Sequence, residues 1–290
     1  CRNEGEACPG GTAVPLHQYL PQLSSKPKTC TPLLPWDCNG VYGAFTVEIG
    51  CALSEALIVD GVLSIFGTGS ALTVITAASG KRHFYVSPGG ILSLNSLKLT
   101  GGGNFDCGVQ SKGGSIFVGS YGALKVVASS FDNGVPGQGG GSIYGEHSTI
   151  ELRHTNITSS SGCGGVGGAM YLHSANATVY GGHIAANRGT SAVYTDQTSV
   201  LKLLGVVVEG NNGAAISASD GDVVSVRACS FSNAVNVQRR GQSNPTFHFV
   251  DTNFGTGEMN MDESDVSACD QPFCTVFPFT ACTPQENTRH

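Results

Sequence analysis

The chain has 290 residues, a net charge of −6, only 12% charged residues and 41 glycines. An acidic chain with no basic run argues against nucleic acid as a partner. No apolar run reaches membrane-spanning length. Low charge at a mean hydropathy of +0.03 does not signal disorder here, because the apolar positions recur periodically. The sequence begins at Cys1, as expected of a processed or trimmed form whose targeting segment is not visible.

Residues 1–55 form a predicted N-terminal cap. Pro9, Pro15, Pro21, Pro27, Pro32 and Pro35 break regular elements there. Cys1, Cys8, Cys30, Cys38 and Cys51 offer staples, and Trp36, the only tryptophan, is expected to plug the first coil. From Ala56 a pattern sets in. Ile58-Val59-Asp60-Gly61 and Val62-Leu63-Ser64-Ile65 read as the first full coil. Phe84-Tyr85-Val86 opens the next line, and Leu92-Ser93-Leu94 and Leu97-Lys98-Leu99 continue it.

The following lines open Gly-Gly-Ser-Ile-Phe (113–117), Gly-Gly-Ser-Ile-Tyr (140–144), Gly-Gly-Ala-Met-Tyr (167–171), Thr-Ser-Ala-Val-Tyr (190–194) and Gly-Ala-Ala-Ile-Ser (213–217). Their anchors Ile116, Ile143, Met170, Val193 and Ile216 lie 27, 27, 23 and 23 residues apart, an internal repeat in the solenoid range. A second segment carries Leu124, Ile150, Ala177, Leu201 and Val224; a third carries Phe131, Ile157, Ile184, Val207 and Phe231. Apolar residues alternate within each segment, as in Leu124-Lys125-Val126 and Leu201-Lys202-Leu203, and period two means strand. One line cannot bury its own inner face, whereas lines stacked at ~4.8 Å build a continuous core. The predicted fold is all-β: a single-domain right-handed parallel β-helix of about seven to eight three-strand coils over residues 56–258, closed by disulfide-stapled caps. Residues 259–290, with Cys269, Cys274 and Cys282, form a tail expected to fold over the last coil.

Eleven cysteines argue for an oxidising compartment, and the absence of any Cys-x-x-Cys pair weighs against zinc. Cys229 shares parity with the inward Phe231 and is expected to be a buried free thiol. The other ten are disulfide candidates. Cys107 and Cys163 sit in loops two coils apart, ~10 Å along the axis, which flexible loops can close. Five cysteines then remain at one end and three at the other, leaving an orphan at each; joining them head to tail would give a covalent array, a trimmed or free thiol being the alternative.

The run Ser87-Pro88-Gly89-Gly90-Ile91-Leu92-Ser93-Leu94, following Arg82-His83-Phe84-Tyr85-Val86, resembles the early coils of pectin-lyase-like right-handed β-helices. The Gly-Gly-Ser-Ile and Gly-Gly-Ala-Met openings, with Phe131-Asp132-Asn133 and Phe231-Ser232-Asn233 closings, are similar to repeats of polymorphic outer-membrane adhesins. Here one residue, not two, separates Phe from Asn, and no β-barrel translocator is present in these 290 residues. The resemblance covers roughly residues 56–255. It implies a surface-exposed adhesive or structural role and prescribes no catalytic residues.

The residue after each anchor has opposite parity: Tyr85, Phe117, Tyr144, Tyr171 and Tyr194. With the anchors inward, these form an outward aromatic ladder suited to sugar faces or a flat protein partner. The alternatives are a ladder covered by the tail or a loop, or reversed parity with the rings inside. Asn133, Asn187, Asn211 and Asn233 follow the third strands, where stacked amides would hydrogen-bond along the axis as a structural device.

Catalytic carboxylate pairs are hard to find. Asp220-Gly221-Asp222 is a lone pair in a turn, Glu151 is flanked in the ladder by Lys125 and Thr178, and Gly182-His183-Ile184 lacks an aspartate cluster. His147 and His173 follow the first strand in adjacent lines but lack a third metal ligand, and no cofactor is expected. Asn156-Ile157-Thr158 and Asn176-Ala177-Thr178 are glycosylation sequons, while Pro245 excludes Asn244.

The sequence thus predicts a secreted or cell-surface, non-catalytic β-helix: a structural subunit or adhesive module of an extracellular assembly, a filament being one form it could take. Its expected partners are copies of itself, other extracellular proteins or glycans. The alternatives are a polysaccharide lyase or hydrolase, or a carbohydrate-binding module using the ladder.

Overall fold

A computed structural model describes residues 13–15, 28–29, 43–47, 50–69, 73–103, 112–136, 139–162, 166–219, 221–240, 245–260 and 266–269; for 13–15, 28–29, 43–47 and 266–269 only the backbone is described. The described residues contain strands and turns but no helix. The strands form three parallel sheets, here sheet A of eleven strands, sheet B of nine and sheet C of nine. The chain winds C to A to B and repeats. Seven complete coils run from Leu57–Val59 to Ser230–Ser232, and the fold is a parallel β-solenoid.

The first 55 residues, expected to be irregular, contribute four strands to these sheets: Ala13–Pro15, Lys28–Thr29, Gly43–Val47 and Cys51–Leu53. Of the six prolines only Pro15 falls among the described residues, as the last residue of its strand; the other five lie outside them. Glu258–Asn260 and Val266–Cys269 likewise extend sheets C and A into the expected tail. Trp36 lies outside the described residues.

The repeat register is as the spacing predicts. Ile116, Ile143, Met170, Val193 and Ile216 pair in succession and are all fully buried. Leu124, Ile150, Ala177, Leu201 and Val224 line up in sheet A. In sheet B one assignment shifts. Val208, not Val207, pairs with Ile184 and Phe231 and is fully buried. The run Val206-Val207-Val208 is apolar throughout, so alternation could not fix its parity. The register continues beyond the regular lines, with the Phe231 and Phe254 rings 5.1 Å apart.

The double-glycine openings have two separate causes. Gly113, Gly140 and Gly167 have φ of 70°, 69° and 60°, the left-handed region that glycine enters without strain. The second glycine of each pair lets adjacent coils approach: a Cβ on Gly114 would lie 2.2 Å from the Gly141 carbonyl oxygen, and one on Gly141 only 1.7 Å from that of Gly168.

The amide column is present and buried. Asn187 donates from its backbone N–H and from Nδ2 to Asn211 Oδ1 (2.9 and 3.0 Å), and Asn211 repeats both bonds to Asn233 Oδ1 (3.0 and 3.1 Å). Asn133 is not a member: it is exposed at φ 58°, and Ser160 occupies the coil before Asn187, donating its N–H to Asn187 Oδ1 (3.0 Å). Each amide satisfies backbone groups at a corner where the sheet ladder breaks.

Cys229 is a buried free thiol, as its parity predicts, and burial pushes its pKa up. Cys51 is disulfide-bonded. Cys1, Cys8, Cys30, Cys38, Cys107, Cys163, Cys274 and Cys282 lie outside the described residues, and of Cys269 only the backbone is described.

Candidate functional site

Sheet C carries two side-chain columns on its outer face. The first is the aromatic ladder. Tyr85, Phe117, Tyr144, Tyr171 and Tyr194 pair in direct register, because each follows an inward anchor by one residue. Tyr85 and Phe117 stack at 5.1 Å between centroids, and Phe117 and Tyr144 at 5.7 Å. The Tyr144–Tyr171 and Tyr171–Tyr194 pairs are edge-on, at 4.8 and 5.0 Å. The column runs on to the exposed Ile58 at one end and to Ser217 and Gln238 at the other.

The ladder points away from the core, yet its centre is covered. Phe117 retains 9% of its surface and Tyr144 only 2%. The Lys112 ammonium lies 4.7 Å from the Tyr144 ring centroid, and the Arg82 guanidinium 5.5 Å from that of Phe117. Lys112, Gly139 and Val166 bridge one another in parallel, so the segments entering successive sheet C strands stack as well. Gly139 is seated on Tyr171: a Cβ there would lie 2.5 Å from Tyr171 Cδ1. A loop therefore covers the middle rings, while Tyr85, Tyr171 and Tyr194 stay half-exposed.

The second column lies two residues further along each strand. Glu146, His173 and Asp196 pair in register. The sequence singled out His173 but neither acid, although Tyr144-Gly145-Glu146, Tyr171-Leu172-His173 and Tyr194-Thr195-Asp196 share one spacing. Residues i and i+2 of a strand face the same way, so this spacing was the available signal. Asp196 is the hub. Its Oδ2 accepts from the Tyr171 hydroxyl at 2.7 Å, and its Oδ1 lies 2.9 Å from His173 Nδ1. Glu146 pairs with Lys112 at 3.5 Å. His147 is not the register mate of His173; it sits exposed in the next turn at φ 47°, its ring 5.9 Å from that of His173. Among the described residues no group of three or more His, Cys, Asp or Glu side chains could hold a metal ion.

Burial raises the Tyr144, Tyr171 and Tyr194 phenols, reinforced by Glu146 beside Tyr144 and by Asp196 beside Tyr171 and Tyr194. All three stay protonated, and the Tyr171 proton is committed to Asp196. The free edge of the site therefore presents hydroxyls, a ring face and an imidazole fixed by a carboxylate.

The other acidic candidates are not brought here. Asp222, expected in a turn, is fully buried and accepts from Thr195 Oγ1 (2.7 Å), Ser199 N (2.8 Å) and Ser219 N (2.8 Å); burial raises its carboxyl to about 6. It fastens the sheet C to sheet A corner from inside. Asp220 lies outside the described residues. Glu151 lies on sheet A between Lys125 and Thr178 and pairs with Arg153. His183 lies on sheet B, 3.7 Å from Glu209. Asn156 and Asn176 are both exposed, the first on sheet B and the second on sheet A.

No protein-family model matches the sequence, and no curated protein matches it. Among solved structures, the A-module of the mannuronan C-5 epimerase AlgE4 of Azotobacter vinelandii is similar over 88% of this chain and 100% of that module. The identity is 10% and the TM-score 0.36, a likeness at which neither family nor activity transfers.

Proposed function

We propose that this chain is a secreted or cell-surface β-solenoid module that binds an extracellular glycan along the outer face of sheet C, without catalysing a reaction on it. One observation carries the reading: the half-exposed rings of Tyr171 and Tyr194 lie directly beside the hydrogen-bonding column of His173 and Asp196. Ring faces take the apolar faces of pyranoses, and fixed acceptors and donors take their hydroxyls. The disulfide at Cys51 and the count of eleven cysteines favour an oxidising, extracellular setting. A structural or adhesive role within a larger assembly fits the same face.

The test is binding of the purified protein to a panel of soluble and insoluble polysaccharides. Replacing Tyr171 and Tyr194 together by Ser should abolish retention while the far-ultraviolet dichroism stays unchanged. Undiminished binding by the double variant would remove sheet C from the reading.

A second reading has its own observation. A carboxylate that fixes an imidazole beside a tyrosine hydroxyl is an arrangement capable of general acid–base work on a bound polysaccharide. It predicts new chain ends when the polymer that binds is incubated with the protein, and none with His173→Ala. Unchanged polymer length with both proteins keeps the non-catalytic reading.

A further inference from the structure

The two sequons are placed by the fold in a way their motif alone does not determine. In a strand, residues i and i+2 share a face. A sequon inside a β-solenoid therefore has two settings. If its middle residue faces out, Asn and Thr are both lost to the core; if the middle residue faces in, both are displayed. Ile157 and Ala177 are the inward residues, at 0% and 2% exposure. Asn156 and Asn176 are accordingly exposed, and Thr158 and Thr178 half-exposed. Each asparagine opens its strand, Asn156–Thr158 in sheet B and Asn176–Tyr180 in sheet A. The Asn156 side chain uses only its oxygen for the fold: Oδ1 accepts from His183 N at 3.0 Å. Modification at Nδ2 leaves that bond intact.

We infer that Asn156 and Asn176 are N-glycosylation sites, and that the glycans mark sheets A and B as the solvated faces of the solenoid while sheet C, which holds neither sequon, remains the face for recognition. The donor is a polyprenyl-diphosphate-linked oligosaccharide, transferred by a membrane-bound enzyme of the secretory route. Asn Nδ2 bonds to the anomeric carbon, the bond from that carbon to the diphosphate oxygen breaks, and the amide loses one proton as the polyprenyl diphosphate leaves. The disulfide at Cys51 and the eleven cysteines favour an oxidising compartment, where such transfer occurs. A surface with few charges gains solubility from attached sugars. The assignment is independent of which ligand sheet C takes.

The chain should be secreted from a eukaryotic cell line beside a control glycoprotein and compared before and after peptide N-glycosidase. We expect a mobility shift lost in two steps, one removed by Asn156→Gln and the other by Asn176→Gln. Because Asn156 Oδ1 also holds the His183 backbone, Thr158→Ala and Thr178→Ala are made in parallel; they keep both asparagines and should remove the same two steps. Ligand retention by sheet C should be the same for treated and untreated protein. Unmodified Asn156 and Asn176 peptides in secreted protein, with the control glycosylated, would overturn the assignment; modification of one alone would overturn it for the other. Loss of ligand retention on enzymatic deglycosylation would overturn the division of faces while leaving the binding reading in place.

Discussion

The close approach of coils at the double glycines gives the sharpest test of the fold. In Gly141→Ala the new Cβ meets the Gly168 carbonyl oxygen at 1.7 Å. Ordinary contact is about 3.5 Å, so the coils must part by about 1.8 Å at a place where strands sit ~4.8 Å apart. Neither side has a flexible end to give way, since the obstacle is backbone. That backbone is also tied across the coils, with Gly141 N donating to Gly167 O at 2.9 Å. Overpacking of this kind costs about 1–3 kcal/mol, and losing or stretching a backbone bond adds about 1. A total of about 2–4 kcal/mol corresponds to a fall in melting temperature on the order of 10 °C for a chain of this size. Gly205→Ala is the control. Gly205 has φ 65°, and a methyl group added there would have no neighbouring atom within 4 Å, so it reports the left-handed backbone alone, about 1–2 kcal/mol. Thermal unfolding followed by far-ultraviolet dichroism compares the two. Equal melting temperatures for the two variants would refute coil-to-coil crowding as the reason for the second glycine.

Three further outcomes follow from buried polar groups. Asn211→Ala removes the acceptor of the Asn187 N–H and Nδ2 groups and should lower stability by about 2–4 kcal/mol in urea unfolding, whereas Asn133→Ala, outside the column, should lower it by less than about 1. The Asp222 carboxyl is raised to about 6 in the fold from an ordinary value near 4, so its ionisation disfavours the folded state; its contribution is best below pH 4, declines between pH 4 and 6, and is lowest above. Acidification from pH 7 to 5 should therefore raise the melting temperature of the parent protein more than that of Asp222→Asn, and equal pH slopes would count against it. Cys229 is buried with a raised pKa, so an aromatic disulfide reagent at pH 8 should leave it unmodified in the native protein and label it after denaturation.

The solenoid was legible because its physical requirement is periodic. Ile143 and Ile150 must face inward in every coil, and their column mates recur at a fixed interval whatever else the line carries. Parity failed only at Val207, inside an unbroken apolar run. The site was half legible. Parity put Tyr171 and Tyr194 outside, but the burial of Tyr144 depends on where Lys112 and Gly139 return across the sheet, and loop paths leave no period to read. The role of Asp222 was hidden for a similar reason. Asp beside Gly reads as a turn, and only the third dimension brings Thr195, Ser199 and Ser219 around it.

Repeat length has an architectural meaning. The 27-residue lines end at Met170, and the 23-residue lines begin there. The surplus lies in the passage from sheet B to sheet C: Ile157 to Met170 is thirteen positions, whereas Ile184 to Val193 is nine. The longer passages stack Lys112, Gly139 and Val166 beside the ladder; Phe117 and Tyr144 follow long passages and are buried, Tyr171 follows one and is half-exposed, and Tyr194 follows a short one and is half-exposed. The solenoid thus behaves like a shuttered window whose slats are insertions of about one helical-turn's worth of residues, roughly four. Natural variation could widen or narrow the recognition face by adding or deleting such slats, while every inward side chain keeps its partner above and below. Fold and specificity are written in separate parts of each line, and can change at different rates.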